Sequence, residues 1–512
     1  MKVVSNMEDF IEPSQSFEDL LLKKAKLENL RPKIKKIQEK LRNESTDLVS
    51  SAIPEVAKNL SKKNRREYRK YEIKKKVESV TSFKDILTVS IPDLAKDIIE
   101  LEKLKSQFVE SLAIAKAYNI PLFDFPTEQD IGEKQLVYGV EPHSLHDITL
   151  CSIDGSFVTK RFQGLDITLS RAIGVIYEFN NMGKPKISYF PDKYGSENYK
   201  LSRILHNVTE EEVSSQISIE RAFMEVQLVN NLISKYNGKI DAFILDGSIL
   251  TEPLNLLFSQ NDDLLEKYLE LVKEYKKLYY LCERKGVLLI GSIKDTRSST
   301  FRKLLSRRLP RILKKFKELK SIYSINYRPL MKYFSDIDFF HRLLKEEERS
   351  CVFSINSAGN SWLPRQLQLI KKELQNEGIF MSEYRFFATY LKPLEQDFPI
   401  RLEFFMNKRH VDVKSLKEKV MSIASLMLPI SSRFKDFAMP IPQLEAHLRC
   451  KLSNSDIDTI MNILERKITQ ELMNYSKELL YNISNLKGVE KFDSFLLKKH
   501  FLIPKKRERY PL

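Results

Sequence analysis

The 512-residue chain carries 85 Lys and Arg residues against 69 Asp and Glu residues, a formal net charge of +16, and 42% of its residues are hydrophobic. This composition is typical of a globular protein, and no apolar run reaches the ~18 residues of a membrane span, so we expect a cytoplasmic protein without a membrane partner. Four scattered cysteines without a CxxC pair argue against a zinc cage or a disulfide framework. The excess of positive charge favours a polyanionic partner such as nucleic acid.

The first part of the chain, residues 1–125, is predicted to be a basic helical region. Apolar positions recur there at spacings of three and four residues. Within it, residues 62–76 carry nine basic residues and two tyrosines. This stretch is either a solvated helix face or a surface that follows phosphates, and the sequence leaves both readings open. A domain boundary is predicted between Pro121 and Pro142, where turn residues replace the helical period.

After this boundary, predicted strands alternate with predicted helices. Three apolar segments, DITLCSID, LDITLSRAIGVIYEF and KPKISYF, predict an antiparallel meander. A helix is predicted at about 209–236, opened by Thr209. It is followed by the strand KIDAFILDGS, the helix DDLLEKYLELVKEYKKLYYLCERK and the strand GVLLIGSIKD. This order predicts an α/β fold in which helices cover the faces of a mixed sheet.

The rest of the chain is predicted to extend this sheet. Residues 301–380 form a predicted, largely helical insertion, whereas YRFFATYLKP and FPIRLEFF predict a further pair of strands. Helices are predicted from about 413 to 490, and residues 476–512 are predicted to be a basic C-terminal tail. Active sites on sheets of this kind lie at strand ends.

The tripeptide Asp-Gly-Ser follows an apolar run twice, at Asp154 and at Asp246. A buried strand that ends in this way presents a carboxylate at the edge of the sheet, and the glycine lets the chain turn away without blocking a ligand. Two carboxylates at neighbouring strand ends are suitable ligands for hard cations such as Mg²⁺ and Mn²⁺. The alternative is that each tripeptide is an ordinary turn.

Further candidates lie on neighbouring elements. Glu225 and Arg221 are four residues apart, so they share one helix face, which turns either to the site or to solvent as a surface ion pair. Glu220 lies about 140° around the helix from Glu225, so the two cannot both face the site. Lys294 and Arg297 follow the next strand, and their cations could hold a scissile phosphate.

One of the seven histidines, His447, follows Pro440 and Pro442 near a predicted helix start. It is either a structural residue or a metal ligand or proton-transfer group beside the carboxylates. In the second case it would complete the set of groups needed to cleave a phosphodiester.

A strongly basic stretch, FRKLLSRRLPRILKKFKELK at 301–320, contains nine basic residues and one acidic residue. Its apolar positions predict one buried face. The other face is either a solvated helix surface or a surface that guides nucleic acid and binds it in a salt-dependent manner. The predicted nucleic-acid-binding residues are Arg297, Arg307, Arg308, Arg311, Lys314 and Lys315.

In this order, the motifs resemble those of the NurA family, archaeal and bacterial nucleases that process DNA ends and have an RNase H-like core. The resemblance covers roughly residues 145–475, and the matching positions are Asp154, Arg221, Glu225, Asp246, Lys294, Pro440, Ala446 and His447. It implies an RNase H-like mixed sheet flanked by helices, with an added N-terminal helical region and a helical insertion. The family usually has a tyrosine before the proline of the last motif, where this chain has Met439.

The resemblance also implies a function and partners. Asp154, Glu225, Asp246 and His447 would bind Mn²⁺ or Mg²⁺, and together with Lys294 they would be the catalytic residues of a nuclease that degrades DNA ends. NurA proteins resemble dimeric rings that work with the hexameric HerA helicase during double-strand-break resection. For this chain, a homodimer with a HerA-like partner is therefore expected.

Two further hypotheses stay open. Met439 motivates a NurA-like subunit with weak or lost catalysis, which would act as a DNA clamp or a HerA adaptor. A basic RNA-binding or tRNA-processing factor could also be built on the same core. Metal-dependent digestion of DNA, compared with that of RNA, distinguishes these hypotheses.

Overall fold

The computed structural model describes residues 91–124, 131–162, 165–180, 184–191, 199–205, 210–250, 262–294, 296–355 and 383–482. The chain divides into two compact units. One comprises Met1–Asp97 with Pro364–Ile370, and of it only residues 91–97 are described; the other comprises Ile98–Leu363 with Lys371–Leu512. The predictions for the basic stretch at 62–76, for the Thr209 cap and for most of the C-terminal tail therefore lie outside the described residues.

The secondary structure follows the predicted alternation. The helices are α1 (Ile91–Ala117), α2 (Glu210–Tyr236), α3 (Asp262–Lys285), α4 (Thr300–Lys315), α5 (Asp336–Leu343), α6 (Val413–Ser431), α7 (Ile441–Cys450) and α8 (Asn454–Asn482). The strands are β1 (Val137–Gly139), β2 (Thr149–Arg161), β3 (Leu165–Glu178), β4 (Lys186–Phe190), β5 (Tyr199–Leu205), β6 (Ala242–Asp246), β7 (Leu288–Ile293), β8 (Glu348–Ser350), β9 (Phe353–Ser354), β10 (Tyr384–Lys392) and β11 (Ile400–Asn407). Single helical turns lie at Lys317–Leu319, Ser321–Ser324, Tyr327–Leu330, Met331–Tyr333 and Lys408–His410.

These strands form one eleven-stranded sheet in the order β1-β8-β10-β11-β7-β6-β2-β3-β4, with β5 beside β3 and β9 beside β10. The neighbours β2, β6 and β7 are parallel, and the other pairs are antiparallel. The part β4-β3-β2-β6-β7 joins an antiparallel meander to two parallel strands, and α3 connects the last two. The predicted RNase H-like mixed sheet is therefore confirmed.

Helices cover both faces of the sheet near its centre. Successive residues of a strand point to opposite faces, so Asp154 and Gly155 of β2 face different helices. A Cβ atom on Gly155 would lie against Glu225 of α2, whereas Asp154 contacts His447 and Cys450 of α7. The elements α2 and α7 therefore bring side chains to the middle of β2 from opposite faces of the sheet.

The segment predicted as a helical insertion at 301–380 is described as far as residue 355. It contains α4 and α5, and it also contributes the short strands β8 and β9, which pair with β10. Strands of two or three residues are too short to show an alternating pattern in the sequence. The predicted pair β10 and β11 is confirmed. Across the described residues, each helix is too short or too polar to cross a membrane.

Candidate metal centre

The carboxylates of Asp154 and Asp246 come from neighbouring parallel strands. The last residues paired between β2 and β6 are Ile153 and Leu245, so the two aspartates occupy the next position on each strand. Asp246 ends β6 as predicted, but the expectation that Asp154 ends its strand is wrong. β2 continues to Arg161 because it keeps its antiparallel pairing with β3. The two aspartates therefore meet where β6 ends and β2 extends beyond it.

His447 joins these aspartates from α7. Its Nδ1 atom lies 2.9 Å from Asp154 Oδ2. Asp154, Asp246 and His447 each offer one possible ligand atom, and these atoms all lie within 4.8 Å of one another. His447 lies in the last turn of α7, not near the helix start as expected, because α7 already begins at Ile441. The structure therefore brings together three of the four predicted metal ligands.

Two further residues of α7 hold the aspartates, and sequence analysis missed both. Gln443 Nε2 donates a hydrogen bond of 2.6 Å to Asp246 Oδ1, and the Cys450 thiol donates one of 3.2 Å to Asp154 Oδ2. Gln443, His447 and Cys450 follow one another at spacings of four and three residues, so they share one helix face. The spacing is visible in the sequence, but it does not reveal that this face turns to the aspartates.

Glu225 approaches the same region from the other face of the sheet. Its side chain is buried, and its Oε1 atom lies 3.6 Å from Arg221 Nε without a hydrogen-bond partner among the described residues. Burial, together with the charges of Asp154 and Asp246, outweighs the effect of Arg221 and raises the pKa of Glu225 to about 8. Glu225 therefore lies beside the cluster but outside the three residues whose ligand atoms converge. Its role as a fourth ligand stays a prediction.

The electrostatics of the cluster reflect its crowded negative charge. Burial and the nearby Asp154 carboxylate raise the pKa of Asp246, and the charge of Lys294 opposes this rise. Lys294 follows the last residue of β7, which explains its influence on the neighbouring strand end. The repulsion that raises the pKa of Asp246 favours a cation between the two carboxylates.

The two glycines of the Asp-Gly-Ser tripeptides meet different requirements. A Cβ atom on Gly155 would lie 2.6 Å from Glu225 Oε1, closer than real Cβ atoms approach, so glycine is needed there for close packing. Gly247 has φ +137°, a backbone conformation that favours glycine, and the position that a Cβ atom would occupy is open. Only the second glycine serves the turn that the sequence predicted.

The residues at this site fit a hard divalent cation. Mg²⁺ and Mn²⁺ both favour the carboxylate oxygens that Asp154 and Asp246 offer, and Mn²⁺ also accepts an imidazole such as that of His447. The buried Oε1 atom of Glu225 has the 3.6 Å ion pair with Arg221 Nε but no hydrogen-bond donor in the described part of the chain, so it has room for a further positive partner. We therefore regard Asp154, Asp246 and His447 as the candidate metal ligands, with Glu225 beside them.

The predicted nucleic-acid-binding residues divide into exposed and buried ones. Arg297, Arg307, Arg311, Lys314 and Lys315 are exposed. The prediction for Arg308 is corrected, since its side chain is only 5% exposed. Arg308 lies four residues after Leu304 and four before Ile312, on the buried stripe of α4.

A mixed sheet with this strand order and a carboxylate-histidine cluster beside its parallel strands defines an RNase H-like protein with a candidate metal centre. The NurA domain family matches residues 148–447, more than half of the chain. The chain therefore belongs to the NurA family.

Solved structures that resemble this chain include NurA proteins and a further nuclease. The NurA nuclease from Sulfolobus solfataricus is 13% identical, with a TM-score of 0.43 over 77% of this chain and 98% of that chain. A NurA bound to dAMP and manganese is 14% identical, with a TM-score of 0.30 over 73% of this chain and 94% of that chain. An endonuclease V from Bacillus subtilis is 11% identical, with a TM-score of 0.24 over 60% of this chain and 84% of that chain. A comparison with curated proteins finds no match.

Proposed function

We propose that this chain is a Mn²⁺- or Mg²⁺-dependent deoxyribonuclease that degrades DNA ends. The observation that carries the proposal is the convergence of Asp154, Asp246 and His447 within 4.8 Å, beside Glu225, in a member of the NurA family. Oxygen-rich sites of this kind serve phosphodiester hydrolysis because the cation neutralises charge on the phosphate and activates the attacking water.

The protein residues have separate tasks in this proposal. Asp154, Asp246 and Glu225 would hold the ion through their carboxylates. His447 would complete the site and keep a proton between its Nδ1 atom and Asp154 Oδ2. Lys294 would lie beside the scissile phosphate, where its charge stabilises the negative charge that develops in the transition state.

The exposed basic residues of α4 would bind the DNA backbone. Arg307, Arg311 and Lys314 are spaced by four and three residues, so they form one exposed row. Arg297 precedes this helix, on the segment that leads from Lys294 to α4. The proposed DNA path therefore runs from the metal centre to the row of cations.

The test is digestion of end-labelled linear DNA, single- and double-stranded, with Mn²⁺, Mg²⁺ or EDTA. We expect shortening with metal and none with EDTA, and we expect Asp154→Asn to be inactive. Glu220→Gln is the matched control, because it neutralises an acid of the same region that pairs with Lys267 rather than with the site. A folded Asp154→Asn variant that digests DNA at the wild-type rate would sink the assignment.

The proposal extends to partners and pathway. A homodimer that works with a HerA-like hexameric ATPase in double-strand-break resection, in the cytoplasm, is what membership of the NurA family supports. Light scattering tests the dimer, and stimulation of digestion by a HerA-type ATPase tests the partnership. A monomer whose activity the ATPase leaves unchanged would remove this part of the proposal and leave the nuclease intact.

The second candidate is a DNA clamp or HerA adaptor with weak or lost catalysis. Met439 favours it, since it stands where the family usually has tyrosine, and its side chain is buried and precedes Pro440, the N-cap residue of α7. This candidate predicts retention of DNA without metal-dependent shortening. RNA in a parallel assay tests the RNA-processing alternative, which requires RNA to be the better substrate.

A further inference from the structure

Two charged residues, Arg401 and Glu403, lie buried in the first half of strand β11. They are 5% and 1% exposed. Arg401 Nε donates a hydrogen bond of 2.8 Å to Glu403 Oε1, and its second terminal nitrogen lies 2.7 Å from the same oxygen. A buried ion pair contributes little net stability compared with apolar residues of the same size, so stability alone gives little reason for its presence.

The second carboxylate oxygen of Glu403 holds the loop that follows Asp246. Ser248 Oγ donates a hydrogen bond of 2.6 Å to Glu403 Oε2, and the Ile249 N–H donates one of 3.3 Å to the same oxygen. Ser248 is the last residue of the second Asp-Gly-Ser tripeptide, two positions after Asp246. Because Gly247 allows many backbone conformations, this loop needs external contacts to stay in one of them.

The other end of the ion pair holds the loop that follows Lys294. Arg401 Nη1 donates a hydrogen bond of 2.6 Å to Ser298 Oγ. Ser298 Oγ also lies 3.3 Å from Asp336 Oδ2. The Asp336 carboxylate in turn accepts hydrogen bonds from the N–H groups of Phe301 and Arg302, at 2.9 and 2.8 Å, in the first turn of α4.

We propose that Glu403, with Arg401 behind it, is a positioning residue of the metal centre. Their ion pair connects the loop after Asp246 to the loop after Lys294 and to the start of the basic helix α4. It therefore holds the backbone from which Asp246 presents its carboxylate, while Gln443 contacts the carboxylate itself. The inference rests on the proposed function in one respect, that the site binds Mn²⁺. Neither residue touches the ion or DNA in this proposal.

The first test uses Ser248, whose hydroxyl is the link nearest to Asp246. Electron paramagnetic resonance of Mn²⁺ with the full chain, without DNA, measures affinity independently of digestion. We expect Ser248→Ala to weaken Mn²⁺ binding by up to about tenfold, the lower end of the effect of removing a partner that orients a metal ligand, because Ser248 acts on Asp246 only through the loop, and we expect Ser248→Thr to restore it. The melting temperature in EDTA should fall only modestly in Ser248→Ala, because the Ile249 N–H still donates to the same buried oxygen of Glu403, and Ser248→Thr should restore it. Unchanged affinity of Ser248→Ala would overturn the proposal.

The second test separates positioning from stability. Glu403→Gln should weaken Mn²⁺ binding about 10- to 100-fold and lower the melting temperature, because it removes the principal charged partner of the buried Arg401 and leaves only the carboxylate of Asp336. The double variant Arg401→Met with Glu403→Leu removes both charges, so its melting temperature should recover while its affinity does not. Wild-type affinity in a folded double variant would mean that the pair serves stability only.

The outcomes also distinguish this inference from the proposed nuclease. Wild-type protein that binds Mn²⁺ but leaves DNA intact would contradict the proposed nuclease activity. The Mn²⁺ affinities of the Ser248 and Glu403 variants would still test the positioning role. Wild-type protein that does not bind Mn²⁺ would overturn both. The Ser248 variants keep the inference testable if the double variant does not fold.

Discussion

Gly155 separates the metal centre from Glu225, and its substitution tests that arrangement directly. In Gly155→Ala, the new Cβ atom would lie 2.6 Å from Glu225 Oε1 and 2.8 Å from Arg221 Cγ, so both side chains must move. We expect at least about a tenfold loss of Mn²⁺-dependent digestion, within the range known for misplaced groups around a metal. We also expect a lower melting temperature. End-labelled DNA digestion and thermal unfolding measure the two effects.

The control for Gly155→Ala is a second change at Glu225. Adding Glu225→Ala removes the atom with the closest contact, so the double variant should regain part of its melting temperature and stay inactive. Full activity in the single Gly155→Ala variant would mean that Glu225 does not need its observed position.

Glu225 and Glu220 lie on one helix but have opposite surroundings, and this contrast gives a second prediction. Glu225→Gln should lower digestion about 100-fold or more if its carboxylate acts on the ion. Glu220→Gln should retain activity within about twofold, because Glu220 Oε1 accepts a hydrogen bond of 2.8 Å from Lys267 and takes no part in the site. Equal loss of activity in both variants would contradict the assignment of Glu225.

The pH dependence of the Glu220 variant has a definite sign. Burial raises the pKa of Glu220, but hydrogen bonds from Lys267 and Gln216, with the charge of Lys200, outweigh it and lower the pKa below its usual value. A carboxyl group with a lowered pKa in the folded state stabilises the fold above its unfolded-state pKa, and this stability is lost as the pH falls through the folded-state pKa. Glu220→Gln should therefore cost about 1 kcal/mol at pH 7, and denaturant unfolding should show the cost disappearing in acid.

The exposed basic row of helix α4 is predicted to bind the DNA backbone. Replacing Arg307 and Lys314 by alanine should weaken DNA binding, and the slope of log K against log salt should fall by about 0.7 to 0.9 for each phosphate that the variant no longer neutralises. Fluorescence anisotropy of labelled DNA in a salt series measures both quantities. Calcium ions can replace Mn²⁺ in this assay to keep the DNA intact.

The matched control removes two cations elsewhere. Lys414 and Lys417 are exposed on α6, so Lys414→Ala with Lys417→Ala lowers the net charge equally. It should change the slope less than the α4 variant does. Equal changes would mean that net charge alone, rather than the row on α4, determines DNA binding.

The elements with strong periodicity could be predicted from the sequence, and those without it could not. Helices α2 and α3 and strands β3, β6, β7, β10 and β11 follow from apolar patterns of helix or strand period. Strands β8 and β9 are too short to show one. The length of β2 depends on its pairing with β3, a contact between distant residues that local composition does not encode.

The candidate site was only partly visible in the sequence for a related reason. Asp154, Asp246 and His447 carried a signal because their residue types suit a cation. Gln443 and Glu403 carried a weaker signal. The partner of a single amide, or of a charge within an apolar strand, is known only once the chain has folded. The charged pair in FPIRLEFF was nevertheless a usable signal, because buried charges require partners.

The chain as a whole combines a basic surface with an acidic centre. Its net charge of +16 attracts a polyanion, while the carboxylates of Asp154 and Asp246 would repel phosphate if no cation lay between them. Metal binding is therefore expected to precede productive DNA binding at the centre, even where α4 has already captured the strand. The repulsion between the carboxylates of the metal centre should also lower the stability of the folded protein when no metal is bound.

Asp246→Asn should make the metal-free protein more stable and the metal-loaded protein less so. Burial and Asp154 raise the pKa of Asp246, so its ionised form is unfavourable in the fold at neutral pH. The amide of asparagine removes that charge and keeps an oxygen for the hydrogen bond from Gln443. In EDTA, the melting temperature of Asp246→Asn should therefore exceed that of the wild type.

With Mn²⁺ the wild type should have the higher melting temperature and Asp246→Asn the lower one. A ligand at 100 times its dissociation constant stabilises the folded state by about 2.7 kcal/mol, and Asp246→Asn should lose most of this gain because it lacks one ligand charge. Calorimetric unfolding with EDTA and with a Mn²⁺ series measures both orders. A variant that is less stable than the wild type in EDTA would show that Asp246 has a structural role, because removing repulsion alone cannot destabilise the fold.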